Sequence, residues 1–256
     1  VMSSMHGTWS ASMLGGAALA SASVALDVRI EVHFSLVAAL LIAVSFPLLR
    51  WLPSPHDVRS EFDPDGPAET RSPAIRVVLL CLIGFAAFMT EGIAAEWSAV
   101  YLNDSVGTDV GTAGLGVVAF AAGMAASRFA IDRLPERIEP STIVRVGEAV
   151  GAIALATALV VEVAVVSIAA LVILGLGVGP AVPFAFRAAG GIGIERGRTA
   201  LGIVVTTGYV GSILGPLAVG FTADLADLRV AFAIPVVACA AVALAAGALS
   251  KSHARA

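Results

Sequence analysis

Residues 77–102 read "VVLLCLIGFAAFMTEGIAAEWSAVYL", and how the two glutamates in this stretch are understood decides the fold. A helix that crosses a bilayer needs about 20 mostly apolar residues, and the series ahead of Glu91 begins such a helix. At 1.5 Å per residue, Glu91 stands roughly 22 Å from Arg76, which the reading places in the outer half of a hydrocarbon core about 30 Å thick. Glu96 lies about 7 Å further on, at the outer interface. The five residues between them turn the helix by about 140°, so the two carboxylates face different sides and are not an acid–base pair. An ionised carboxylate inside the core costs about 2.5–3.5 kcal/mol on insertion scales, so such a group faces a cavity or a partner. Glu91 shares a face with Gly84 and Phe88, as a cavity wall with room for a ligand would. The alternative is a carboxylate capped by a neighbouring helix or by water. Trp97 and Tyr101, one turn apart, read as an aromatic belt at the outer interface.

The rest of the chain agrees with a membrane reading. Of its 256 residues, 58% are hydrophobic and only 13% charged, against about 25% charged in a soluble domain, and the mean hydropathy is +0.94. Eight apolar runs follow one another, at roughly 4–26, 33–51, 76–101, 110–132, 143–162, 164–187, 199–222 and 229–250. The expected fold is all-α, a polytopic bundle of about eight transmembrane helices. Lys and Arg crowd the second, fourth and sixth connections and the tail, leaving only Arg29 and Arg229 in the others. Positive residues mark the cytoplasmic side. The C-terminal tail, 251–256, and the polar segment 52–75, rich in Pro, Asp, Glu and Arg, are therefore expected in the cytoplasm, the latter as a linker. It separates two helices, 1–51, from six, 76–250.

Several other residues carry expectations. Glu148, three positions beyond Arg145, is expected to pair with it or with the Arg128–Arg137 cluster, and Glu162 to be solvated. Gly179, Pro180 and Pro183 in the sixth run free backbone carbonyls and permit close packing, which suits a broken helix beside a cavity; a gating hinge and plain packing both fit. Gly211 and Gly215 form a GxxxG pair that lets another helix approach, and Tyr209 between Gly208 and Gly211 is the aromatic favoured for a cavity, its hydroxyl needing a polar partner at depth. Trp9 and His6 line an inner mouth or anchor the first helix at the interface. Cys81 and Cys239 lie in apolar runs and read as small buried hydrophobes. No His spacing suggests a metal, no phosphate-binding loop is present, and Ser212 has no intramembrane His to serve it as a base. No catalytic residue, cofactor, metal or nucleic-acid partner is expected.

After the fourth run comes "SRFAIDRLPERIEPSTIVRVGE", residues 127–148, in which Arg128, Asp132, Arg133 and Arg137 resemble the G-R-x-x-x-D-R-x-x-x-R cytoplasmic loop of the major facilitator superfamily, with Ser127 in place of its glycine. "EGIAAEWSAVYL" (91–102), "LGLGVGPAVPF" (174–184), "TTGYVGSILGPLAVGF" (206–221) and the opening "VMSSMHGTWS" (1–10) resemble one branch of it, the fucose-permease-like transporters. The resemblance implies twelve spans in two halves of six, with this chain corresponding to spans five to twelve. It implies a secondary active transporter in the plasma membrane, a symporter or antiporter that moves a small polar organic solute, sugar-like or drug-like, by alternating access and with proton coupling. A truncated, non-transporting remnant or helical scaffold is the alternative. On the first reading Glu91, Phe88, Tyr209 and Trp9 lie on the substrate or proton pathway. Arg128, Asp132, Arg133 and Arg137 form a cytoplasmic gate, with the fourth helix packed on the first and Asp132 near the first helix's N-terminal end. Surfaces that would pack on helices outside this chain, including the Gly208–Gly211–Gly215 face, are expected to meet lipid or a second copy.

Overall fold

The computed structural model of the chain describes residues 2–48, 74–131, 133, 138–192 and 194–250. Most of the linker, Asp132, Arg137 and the tail therefore lie outside the described residues. Ala74 and Ile75, read as the linker's end, instead begin a helix.

Ten α-helices, and no strand among the described residues, follow in order: α1 (Met2–Ala25), α2 (Ile30–Leu48), α3 (Ala74–Val100), α4 (Val110–Ile131), α5 (Pro140–Val161), α6 (Ala164–Val178), α7 (Ala181–Gly190), α8 (Ile194–Leu225), α9 (Leu228–Ala231) and α10 (Ala233–Ala245). In a bilayer each backbone N–H and C=O must be satisfied within its own segment, which is why apolar runs of this length become helices. Among the described residues, seven helical stretches are long and apolar enough to cross a membrane. The first expected span is the exception. α1 has 24 residues but carries Thr8, Ser10, Ser12, Ser21 and Ser23, which make it less apolar than the other spans.

Local signals set the helix ends. Asp109 precedes α4 and accepts hydrogen bonds from the Thr112 hydroxyl (2.6 Å) and amide (3.0 Å), closing the first turn as a cap does. Those bonds, the hydroxyl's first, hold the exposed Asp109 carboxyl below the ordinary carboxylate range. Pro140 opens α5, where a missing N–H costs nothing. Glu162 ends α5 in a left-handed conformation (φ 53°) and pairs with Arg229 at 2.6 Å, so it is solvated only in part, with a partner the sequence did not reveal. The third span is longer than expected, running 32 residues from Ala74 to Ser105 by way of a π-helical turn, Tyr101–Ser105.

α3 is the organising helix. It packs along α8, α10, α4 and α7, while α6 packs on α4 and α5 and α1 on α4. Helices in lipid gain no hydrophobic advantage from meeting each other, so backbone approach at small residues and dispersion must hold them. The contacts obey that rule. A Cβ added to Gly175 would run into the Phe120 carbonyl, one on Gly123 into the Val172 carbonyl and one on Gly177 into the Gly147 carbonyl. The Gly208–Gly211–Gly215 face does not meet lipid or a second copy. It lies on α3, against Phe88, the Phe85 carbonyl and Met89. Tyr101 is not an interfacial belt residue either, being fully buried and stacked on Phe232 at 4.6 Å. α2 stands apart, with none of its span buried; a contact of 2.8 Å between Ser23 Oγ and His33 Nδ1 ties its start to the end of α1.

Candidate functional site

A cavity of about 420 Å³ opens where α1, α3, α4, α7 and α8 converge. α1 supplies Trp9 and Met13, α3 supplies Phe88, Glu91, Gly92 and Ala95, α4 supplies Arg128, α7 supplies Phe186, and α8 supplies Tyr209 and Ser212. Such a volume is within the range of small-molecule sites. Glu91 stands near the midpoint of the 32-residue third span rather than in its outer half, because that helix is longer than the apolar run suggested.

The polar centre of the wall is an ion pair. Arg128 Nη2 donates to Glu91 Oε1 at 2.5 Å, Nη1 to Ser10 Oγ at 2.6 Å and Nε to the Gly179 carbonyl at 3.0 Å. The third bond has a cause in the sequence. A helical carbonyl normally accepts from the N–H four residues on, and for Gly179 that residue is Pro183, which has none. Arg128 supplies the missing donor. Gly179 serves this arrangement as a packing position, since a Cβ there would fall on the Ser127 hydroxyl. The Ser127 that departs from the loop pattern is therefore accommodated by a glycine on the facing helix. The helix is interrupted only at Gly179 and Pro180, both in right-handed helical conformation.

Arg128 is 1% exposed and Glu91 12%, so the carboxylate is presented to the cavity and the guanidinium stands behind it as a fixed counter-charge. The structure thus moves Arg128 from the expected loop cluster into the bundle interior. Arg133 remains exposed, bonded to the Phe129 carbonyl, and no contact joins it to Arg128. α4 does pack on α1, where Gly7 meets the Phe129 ring.

Aromatic rings surround the pair. Phe88 lies 5.5 Å from Tyr209 and 6.1 Å from Phe186, centroid to centroid, so two expected residues and one unexpected one form a continuous wall. Trp9 reaches the cavity from α1 and is 69% exposed. The Tyr209 hydroxyl has no hydrogen-bond partner among the described residues, contrary to expectation, because the ring lies open to the cavity at 59% exposure. On the same helix as Tyr209, Pro216 denies the Ser212 carbonyl its helical donor, and that carbonyl lies against Gly92, 2.8 Å from where a Cβ would be. Ser10, Phe186 and Gly92 escaped the sequence reading. Pro183 and Pro216, each freeing a carbonyl four residues back, were the available signals for where polar groups gather.

The described residues thus form an all-helical bundle of membrane-spanning length, with a solute-sized cavity walled by aromatic rings and an ion pair. The model of the Major Facilitator Superfamily matches residues 1–190 and again 79–255, and the chain belongs to that superfamily. It is 32% identical over 237 residues to "Uncharacterized transporter y4wD" of Sinorhizobium fredii, covering 91% of this chain and 61% of that protein. It is 30% identical to an uncharacterized MFS-type transporter of Yersinia pestis over 91% of this chain and 59% of that protein. It is 29% identical to the membrane protein MosC of Rhizobium meliloti, over 94% and 59%. The chain thus spans about three-fifths of the length of these relatives. No solved structure matches it.

Proposed function

We propose that the protein acts in secondary active transport of a small polar organic solute, with Glu91 as the group that binds solute or proton. The observation that carries this is the Glu91–Arg128 pair in the wall of an aromatic cavity. An intramembrane ion pair is costly to build and marks a pathway far more often than a scaffold. Because the pair neutralises itself, the site favours a solute without strong net charge, one that stacks a flat or ring-shaped face on Phe88, Phe186 and Tyr209 and offers hydroxyl or amine donors to Glu91 and the Ser212 carbonyl. A sugar-like compound fits this description, in line with the fucose-permease-like branch.

A proton or a solute donor arriving at Glu91 would weaken its hold on Arg128, which also touches Ser10 on α1 and Gly179 between α6 and α7. Occupancy of the cavity is thereby linked to contacts among helices that must move in alternating access. The basic connections support a reading with the linker side of α3 in the cytoplasm. The test is accumulation of labelled sugars and amphipathic solutes in cells making the protein, with and without an inward proton gradient. Accumulation is expected to follow the gradient in the wild type and to lose that dependence in Glu91→Gln. Accumulation equally gradient-driven in the variant would remove Glu91 from the mechanism.

A further inference from the structure

Outside the cavity, Glu148 on α5 is 1% exposed, and neither carboxyl oxygen has a hydrogen-bond partner among the described residues. The expected ion pair with Arg145 is absent, because Arg145 Nε turns to the Ala243 carbonyl at 3.3 Å. The surroundings of Glu148 come from three helices. α10 brings the buried thiol of Cys239, α6 brings the Gly177 backbone, and α3 brings the charge of Glu91 together with Thr90, which neighbours the same thiol. The Thr90 hydroxyl donates to the Ala86 carbonyl at 2.9 Å.

Arg128, the guanidinium of the cavity wall, is committed to Glu91, Ser10 and Gly179. An ionised Glu148 would be a second anion with no cation beside it and only the weakly donating Cys239 thiol for a neighbour, in a setting where an unpaired charge is prohibitively costly. The neutral acid avoids that penalty, and the thiol is a tolerable neighbour for it.

We propose that Glu148 is a proton-holding site of the bundle, separate from the Glu91–Arg128 pair: a buried carboxyl without a cation, held as the neutral acid. This role rests on the transport reading, but the proton itself can be observed without transport.

The experiment is infrared spectroscopy of the membrane-reconstituted protein. The wild type at neutral pH is expected to show the carbonyl absorption of a protonated carboxylic acid, which Glu148→Gln removes and Glu148→Asp retains. Retention in the aspartate variant shows that the loss reports the carboxyl group and not a collapsed fold. Absence of the band in the wild type, or its survival in Glu148→Gln, would overturn the proposal. Missing solute uptake alongside the expected spectra would overturn the transport reading alone.

Discussion

Replacing Arg128 by Met removes three contacts at once while keeping a long apolar stem. Glu91, 12% exposed, would be left as an uncompensated carboxylate, and breaking one side of a buried pair costs about 3–5 kcal/mol. The Gly179 carbonyl would be orphaned as well, because Pro183 cannot donate to it, and an unsatisfied buried acceptor costs about 1–3 kcal/mol. These terms overlap, since Glu91 can take up a proton, so about 4 kcal/mol is the expected loss for Arg128→Met. The double variant Glu91→Gln, Arg128→Met removes the stranded charge and should recover about 2 kcal/mol, leaving mainly the carbonyl and serine unpaired. Reversible unfolding in mixed micelles, followed by helical signal or by steric trapping, reads these differences directly. An Arg128→Met loss under about 1 kcal/mol would mean that the guanidinium is effectively solvated and that the pair is not the interior feature described above. Equal losses in the single and double variants would show that the charge pairing itself contributes nothing.

Gly177→Leu and Gly211→Val should each weaken the bundle by at least the 1–3 kcal/mol typical of overpacking, because the added Cβ meets the Gly147 carbonyl in one case and the Phe85 carbonyl in the other; the same micelle unfolding measures both. At the start of α4, the Asp109 carboxyl is held below its usual range by Thr112. A depressed folded-state value means that its contribution is present above the unfolded value, about pH 3.9, and is lost as pH falls through the lower folded value. Hydrogen-exchange protection of the Thr112 amide should accordingly fall on strong acidification and be insensitive to pH in Asp109→Ala. Arg229→Ala breaks the pair with Glu162, whose side chains are 46% and 39% exposed, so it should cost no more than about 1 kcal/mol and shrink with added salt.

The sequence by itself determined the class of fold. Run lengths set the helices, because a backbone in lipid has to bond within its own segment, and a carboxylate amid "VVLLCLIGFAAFMTEGIAAEW" had to meet something polar. Glu91, and Phe88 on its face, were legible as cavity-lining residues for that reason. What a linear pattern omits is rotation and neighbour choice. Arg128 was assigned to a loop because it lies close to the end of α4, yet its side chain turns inward to a carbonyl that a proline on another helix had left without a donor. The GxxxG spacing of α8 announces a close helix approach, yet lipid or a second copy was the expected neighbour, and only the crossing with α3 showed that these glycines admit Phe85, Phe88 and Met89. Tyr101 was placed at an interface by its position near the end of a run, and the π-helical turn together with Phe232 buried it. Glu148 lost its expected partner because Arg145 found a nearer carbonyl on α10. Spacing along one helix gives height. The partner across the gap depends on how far two backbones can approach, and that is decided by small residues and freed carbonyls on both helices at once.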